Sequence, residues 1–225
     1  MNTSDLPEIL ESLKTHFEYR KNCGINYFQK PEGQKSILSE DNQSLLDKVV
    51  EEMGDCKRCK LHSMRKNIVF GVGNSNARLM FVGEAPGAEE DEQGMPFVGK
   101  AGQLLTKIIE AIDLKRSDVY IANILKCRPP SNRNPEEDEI KICIPFLEKQ
   151  IKIIAPEIVC TLGNIATRAM LDTDLEVTKL RSRFHERSGL KVMPTYHPSY
   201  LLMDPSKKRE TWEDMKKVKK EYFKE

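Results

Sequence analysis

Long apolar runs are missing from this 225-residue chain, and no stretch approaches the ~20 residues that a membrane helix needs. The opening segment MNTSDLPEILESL carries acids and has no apolar core, so a secretory signal is excluded and a cytosolic protein is expected. Excess charge is missing too. With a formal net charge of +1, nothing global draws the chain to nucleic acid, and any DNA-binding surface has to be a local basic cluster. No segment repeats internally and none is of low complexity, which sets aside solenoids and disordered tracts. At 39% hydrophobic and 32% charged residues, the composition is that of an ordinary globular protein, large enough for one good-sized domain and short of two.

Residues 1–43 read as an N-terminal helical extension followed by a linker. Leu6, Ile9, Leu10, Leu13 and Phe17 recur at helical spacing behind Ser4 or Asp5 as a cap, and the polar stretch from Lys30 to Gln43 follows. Residues 44–225 read as the domain. A helix with Leu45, Leu46, Val49, Val50 and Met53 on one face runs into Cys56. Short apolar strands are then expected at Leu79–Val82, Val119–Leu125, Ile158–Leu162 and Lys191–Tyr196. Helices are expected around Leu104–Ile112, at 136–154, through Ala169, and at the C-terminus around Trp212, Met215, Val218 and Phe223. Strands separated by helices imply parallel crossovers. The expected fold is therefore α/β: a three-layer α/β/α sandwich around a central four-stranded, mainly parallel sheet.

Open parallel sheets bind ligands beyond the carboxyl ends of their strands, so the residues that follow the strands carry the functional signal. The first strand empties into GEAPGAEEDEQGMPFVGKAG, where five glycines and two prolines lie between a strand and an amphipathic helix. Such glycines let the backbone approach a ligand closely, and a loop this long inside a compact domain is usually functional. Phe97 in this segment suits either a core anchor or a platform for a planar ligand. The second strand carries Asn123, whose amide sets a donor beside an acceptor, although it also suits a bond to a neighbouring loop. The fourth strand ends at His197-Pro198-Ser199-Tyr200, where His197 is either a satisfied core histidine or a site residue. Three polar strand ends suggest one shared pocket.

Six cysteines are many for a reducing compartment, where clustered thiols are better read as metal ligands than as disulfides. Cys56 and Cys59 form a C-x2-C pair, and Cys127 and Cys143 lie downstream with fifteen residues between them. Four thiolates suit a tetrahedral zinc or a four-iron cluster, and ligand chemistry alone leaves both open. Cys160, inside an apolar strand, reads as a small buried residue, and Cys23 has no identifiable partner.

Taken together, GEAPGAEEDEQGMPFVGKAGQLL, NILKCRPP and HPSYLL resemble the type-4 uracil-DNA glycosylases, the iron–sulfur branch of their superfamily, in order and spacing over roughly residues 44–225. The resemblance implies an enzyme that flips uracil out of single- or double-stranded DNA and hydrolyses its N-glycosidic bond during base excision repair. It implies that the backbone around Glu84, Ala85 and Pro86 contacts the uracil, that Phe97 stacks on it, and that Asn123 bonds its N3–O4 edge. His197 is then expected to face O2, where negative charge grows. Related enzymes with aspartate at the Ala85 position use that carboxylate on the water. Here Glu90 is the expected water-positioning group, with Glu84 in reserve. Tyr200 and Leu201 are the expected DNA wedge, Leu201 first. The family often has an arginine just after this motif, and this chain has Met203, which puts one phosphate or base contact in doubt. Cys56, Cys59, Cys127 and Cys143 match the family's ligands to a [4Fe–4S] cluster.

Lys179, Arg181, Arg183, Arg187 and Lys191, with Arg128, Arg133, Lys207, Lys208 and Arg209, are expected to supply phosphate contacts. Arg181-Ser182-Arg183-Phe184-His185 superficially resembles the KRRIH loop of a covalently trapping subgroup but comes too late in the chain, so His185 is read as ordinary. A monomer near the nucleoid is expected, with residues 1–43 open to a repair or replication partner. Competing readings are a cluster- or zinc-bearing DNA-binding module without catalysis and a glycosylase for other damaged bases. A nucleotide-binding enzyme fits poorly, because GEAPG is neither a P-loop nor a dinucleotide fingerprint.

Overall fold

A computed structural model describes residues 41–224, which fall within one compact unit, Glu40–Glu225. The expected extension helix and Cys23 lie outside the described residues. Helix α1 (Asn42–Met53) starts inside the expected linker, because Asp41 caps it by accepting from the Ser44 N–H at 2.7 Å. Its inner face is Leu46, Val49 and Met53.

The sheet has six strands, where four were expected: β1 (Val72–Gly73), β2 (Leu79–Gly83), β3 (Tyr120–Asn123), β4 (Ile158–Leu162), β5 (His185–Arg187) and β6 (Leu190–Thr195). Their order is β1-β3-β2-β4-β6-β5. The inner four are mutually parallel and correspond to the expected strands, while β1 and β5 add antiparallel edges. Both edges escaped the sequence reading because they are two and three residues long and carry no apolar run.

Alternation along the inner strands builds the layers. Met80, Val82, Ala122 and Val159 face α1, α4 (Glu137–Ile154) and α5 (Gly163–Leu171). Leu79, Phe81, Ile121, Cys160 and Met193 face α3 (Lys100–Ala111) and α8 (Lys208–Tyr222). Cys160 is a wholly buried packing residue, as expected. Shorter helices decorate the strand ends: α2 (Ala88–Gln93) within the glycine-rich segment, α6 (Val177–Leu180), and α7 (Pro198–Met203) directly after His197. No helix of the described residues is long and apolar enough to cross a membrane.

The crossover from β2 to α3 is tightly fitted. Phe97 sits at a φ of 53°, a conformation that costs a bulky residue energy and needs outside support. Gly102 in the first turn of α3 supplies room for it, since a Cβ there would lie 1.9 Å from the Phe97 carbonyl oxygen. Arg116 holds the same turn by donating to the Pro96 carbonyl at 2.6 Å. Gly102→Ala is therefore expected to destabilise the protein by about 3 kcal/mol, measured as a lowered urea midpoint at unchanged m-value.

Candidate active site

The ends of β2, β3 and β6 meet around one cavity of about 210 Å³, and every expected pocket residue lines it: Glu84, Ala85, Pro86, Glu90, Phe97, Asn123 and His197. The parallel ladder pairs Gly83 with Asn123 and continues past the strands, as the Ile124 and Leu125 N–H groups donate to the Gly83 and Glu84 carbonyls at 2.9 and 3.0 Å. Gly83 makes the pocket floor possible. A Cβ there would lie 2.4 Å from Asn123 Oδ1 and 2.5 Å from Phe97 Cζ.

Asn123 is 1% exposed, and its Oδ1 finds no hydrogen-bond partner among the described residues. A buried acceptor left unpaired costs about 1–3 kcal/mol, so it marks a position built to meet a donor from outside the chain. Phe97 stands at both of its expected places, the core and the cavity wall. It is buried in the core formed with α3, and its ring also lines the cavity, 5.6 Å from the His197 ring centroid with the planes 35° apart.

His197 is a neutral donor. Its Nδ1 accepts the Ser199 backbone N–H at 3.2 Å and lies 2.6 Å from Ser199 Oγ. A backbone N–H only donates, so Nδ1 is unprotonated and the ring proton sits on Nε2. Burial pushes the ring pKa down to about 4, and the nearby Glu90 carboxylate only partly opposes this.

The two glutamates differ in how they are held. Glu90 Oε1 accepts from the Val98 and Gly99 N–H groups at 2.9 and 3.0 Å, standing in for the side-chain cap that α3 lacks at Gly99. Its second oxygen lies against Gly87, where a Cβ would come within 2.7 Å. Glu84 has no such clamp, and burial alone raises its pKa above the ordinary carboxylate value. It also lines an adjoining cavity of about 490 Å³, shared with Arg168, Asn164 and Tyr200.

The expected wedge is corrected. The segment after His197 is a helix, not a loop, with Pro198 and Leu201 on its inner face. Leu201 is 1% exposed and packs on Val177 and Tyr196, so it is core. Its neighbours face outward: Tyr200 at 37% exposure, Leu202 at 43% and Met203 at 79%.

Much of the expected basic surface is also reassigned. Arg181 donates to both carboxylate oxygens of the buried Asp214 at 3.1 and 3.0 Å and to Glu210 at 3.1 Å. Arg133 pairs with Glu139, Arg187 with Glu148, Lys191 with Glu221 and Lys207 with Glu210. Lys179, Arg183, Lys208 and Arg209 stay exposed. His185 bonds the Leu180 carbonyl at 2.7 Å and is no part of the cavity lining, in keeping with its ordinary reading. Sequence reasoning gave no role to Arg168 and Arg116, whose places come from crossovers, or to Ser199, which bonds His197 two residues before it.

Behind the base-sized cavity, Cys56, Cys59, Cys127 and Cys143 line a second, smaller one with Lys126, Met53 and Phe146. Three sulfurs face donors: Arg58 to Cys56 at 3.2 Å, Arg65 to Cys127 at 3.5 Å, and the Lys126 backbone N–H to Cys143 at 3.3 Å. Burial pushes the Cys127 thiol up to about 12, and no group of three or more His, Cys, Asp or Glu among the described residues is gathered as a single-ion site.

The family model of the uracil DNA glycosylase superfamily matches residues 70–216. A type-4 uracil-DNA glycosylase of Sulfurisphaera tokodaii is 46% identical over 183 residues, covering 77% of this chain and 83% of that protein. One from Saccharolobus solfataricus is 47% identical, covering 77% and 85%, and one from Thermotoga maritima is 44% identical, covering 79% and 94%. The chain belongs to the uracil DNA glycosylase superfamily and, at this level of identity, to its type-4 members.

An NMR titration is expected to show His197 with the Nε2-protonated neutral ring, without a transition at the ordinary 6.5 and charging only near pH 4. The unfolded chain takes up that proton near 6.5, so stability falls as pH drops from about 6.5 to about 4 and is regained on raising it. A ring titrating near 6.5 would contradict this assignment.

Proposed function

We propose that this chain is a monofunctional uracil-DNA glycosylase, which takes uracil flipped from DNA into the cavity and hydrolyses its bond to deoxyribose, leaving an abasic site for base excision repair. The observation that carries the reading is the unpartnered Asn123 Oδ1 on the cavity floor. Uracil brings an N3–H to that acceptor and an O4 to the neighbouring Nδ2. Cytosine presents an acceptor at N3 and an amino group at C4, so both contacts turn repulsive, and discrimination of this kind is large. The relatives' names point the same way.

The chemistry follows from the groups in place. Phe97 stacks on the base, and the backbone at Glu84, Ala85 and Pro86 closes its edge. As the C1′–N1 bond breaks, its electron pair passes to the uracil, and negative charge grows on O2. The His197 Nε2–H donates there, and a neutral imidazole fixed by Ser199 needs no reorganisation at that moment. Water then adds to C1′, and the proton it loses passes through solvent to the uracil anion, leaving neutral uracil and the abasic sugar. Glu90 orients that water through Oε2, because the Oε1 clamp locks its direction. Glu84, unclamped, is the second choice.

Leu202 and Met203 replace Leu201 in the wedge role, as the exposed apolar side chains of α7. Lys179, Arg183, Lys208 and Arg209 supply phosphate contacts. A monomer working on DNA at the nucleoid is part of this reading, which the relatives' DNA-glycosylase names support.

The four cysteines hold a [4Fe–4S] cluster. Four cysteines lining one cavity, three of them facing Arg or amide N–H donors, suit anionic iron–thiolate ligation. When bound, the cluster supplies iron–thiolate cross-links between the end of α1, the segment after β3, and α4.

Release of uracil from a uracil-containing oligonucleotide, scored as alkali-labile cleavage, tests the reading. Asn123→Ala and His197→Ala are each expected to lose roughly 10²–10³-fold. Glu90→Gln, which keeps an acceptor for the clamp, is expected to lose less than His197→Ala, and Met203→Ala to slow duplex more than single-stranded substrate. Tight DNA binding with no base release would replace the enzyme with a damage-binding module. Anaerobically purified protein is expected to be brown with iron and acid-labile sulfide in equal amounts, and Cys143→Ser to lose both. Stoichiometric zinc in place of iron would overturn the cluster.

A further inference from the structure

Lys126 is the one lysine of the described residues in the fully buried class, at 1% exposure, and it stands between the two cavities. Its Nζ donates to the Asn123 carbonyl at 2.9 Å and to Gln150 Oε1 at 2.6 Å, and lies 5.8 Å from the centroid of the Phe70 ring. All three neighbours accept, as an ammonium requires. Gln150 is itself fixed, donating to the Phe70 carbonyl at 3.0 Å and to the Tyr120 hydroxyl at 3.2 Å.

A buried cation normally has a carboxylate beside it, since an uncompensated charge in the interior is expensive. Lys126 is in no ion pair with a carboxylate among the described residues. Lys126 instead lines the thiol cavity, and its backbone N–H contacts the Cys143 sulfur at 3.3 Å. Arg58 and Arg65 face two other sulfurs, those of Cys56 and Cys127, and both also reach backbone carbonyls or a surface carboxylate. Only Lys126 joins the thiol cavity to the residue that floors the base cavity.

We propose that Lys126 is a positioning residue with two linked tasks: its charge offsets the anionic iron–thiolate group, and its ammonium holds the Asn123 backbone so that the amide meets the base edge. The proposal rests on the glycosylase and cluster reading above. The cluster is thereby more than a staple, because the charge that balances it is the same charge that fixes the base-reading strand end. NILKCRPP places the lysine beside a cysteine of the proposed ligand set, where a solvated side chain would be the ordinary expectation.

Two variants of the holoprotein separate the tasks. Lys126→Met is close in length and removes both charge and donor. Gln150→Glu keeps an acceptor for Nζ and cancels its charge. Three quantities are read for each: the cluster's midpoint potential by dye-mediated titration, inhibition by free uracil, and KM against kcat on a uracil-containing oligonucleotide. Loss of a positive neighbour disfavours the reduced, more negative cluster, so both variants are expected to move the potential negative. Lys126→Met is expected also to weaken uracil inhibition and raise KM roughly three- to tenfold, the equivalent of one lost hydrogen bond, with a smaller change in kcat. Gln150→Glu should leave uracil inhibition near wild type. A Lys126→Met protein that only melts earlier, with potential and uracil inhibition unchanged, would overturn the proposal. If that variant does not fold, an unmoved potential in Gln150→Glu does so. Wild-type protein without iron or without uracil release would instead remove the underlying reading.

Discussion

Gly83 and Asn123 face each other across the parallel β2–β3 ladder, and the volume a side chain at Gly83 would fill is taken by the Asn123 amide and the Phe97 ring. That close approach sets the floor and one wall of the base cavity together. The same ladder runs on through Ile124 and Leu125, which bond the Gly83 and Glu84 carbonyls and deliver Lys126 and Cys127 directly behind the floor. One register thus aligns the base-reading amide, the Glu84–Pro86 backbone and the thiol cavity. A slip by one residue would turn Asn123 to the other face and break all three at once.

Around that ladder the polar groups are sorted by how they are held. Desolvation keeps His197 neutral and the Ser199 N–H fixes its tautomer, while Glu90 is tied by one oxygen to the start of α3. Glu84 is desolvated and unclamped. The cations gather on the thiol side, where Arg58, Arg65 and Lys126 supply N–H donors or charge. The proposed reaction would use this sorting, with a neutral donor for the leaving base and an oriented carboxylate for the water, while the cations stand beside the sulfurs.

The inner four strands were legible because each is a short, mostly apolar run buried over most of its length, and the pocket was legible because its residues sit at the ends of those runs. Edge strands β1 and β5 were not, since two or three half-exposed residues leave no periodic signal. Leu201 misled for a local reason. A proline after His197 starts a helix instead of a loop, and helical spacing then pairs Leu201 with Pro198 on the inner face. Arg181 misled for a long-range one, because its buried partner Asp214 comes thirty-three residues later on α8. Lys126 combines both difficulties, a charged residue whose burial depends on contacts from β3 and α4.

Edge strand β5 ends the sheet on His185, Glu186 and Arg187, paired only to β6 through three registered positions. Its outer rim offers too few free backbone groups, and too much charge, for another strand to add there. The opposite rim, β1, is shorter still. A sheet whose inner strands are mostly apolar would otherwise be prone to grow from copy to copy. Short margins, charged on the β5 side, work against such growth along the sheet's own hydrogen-bond direction.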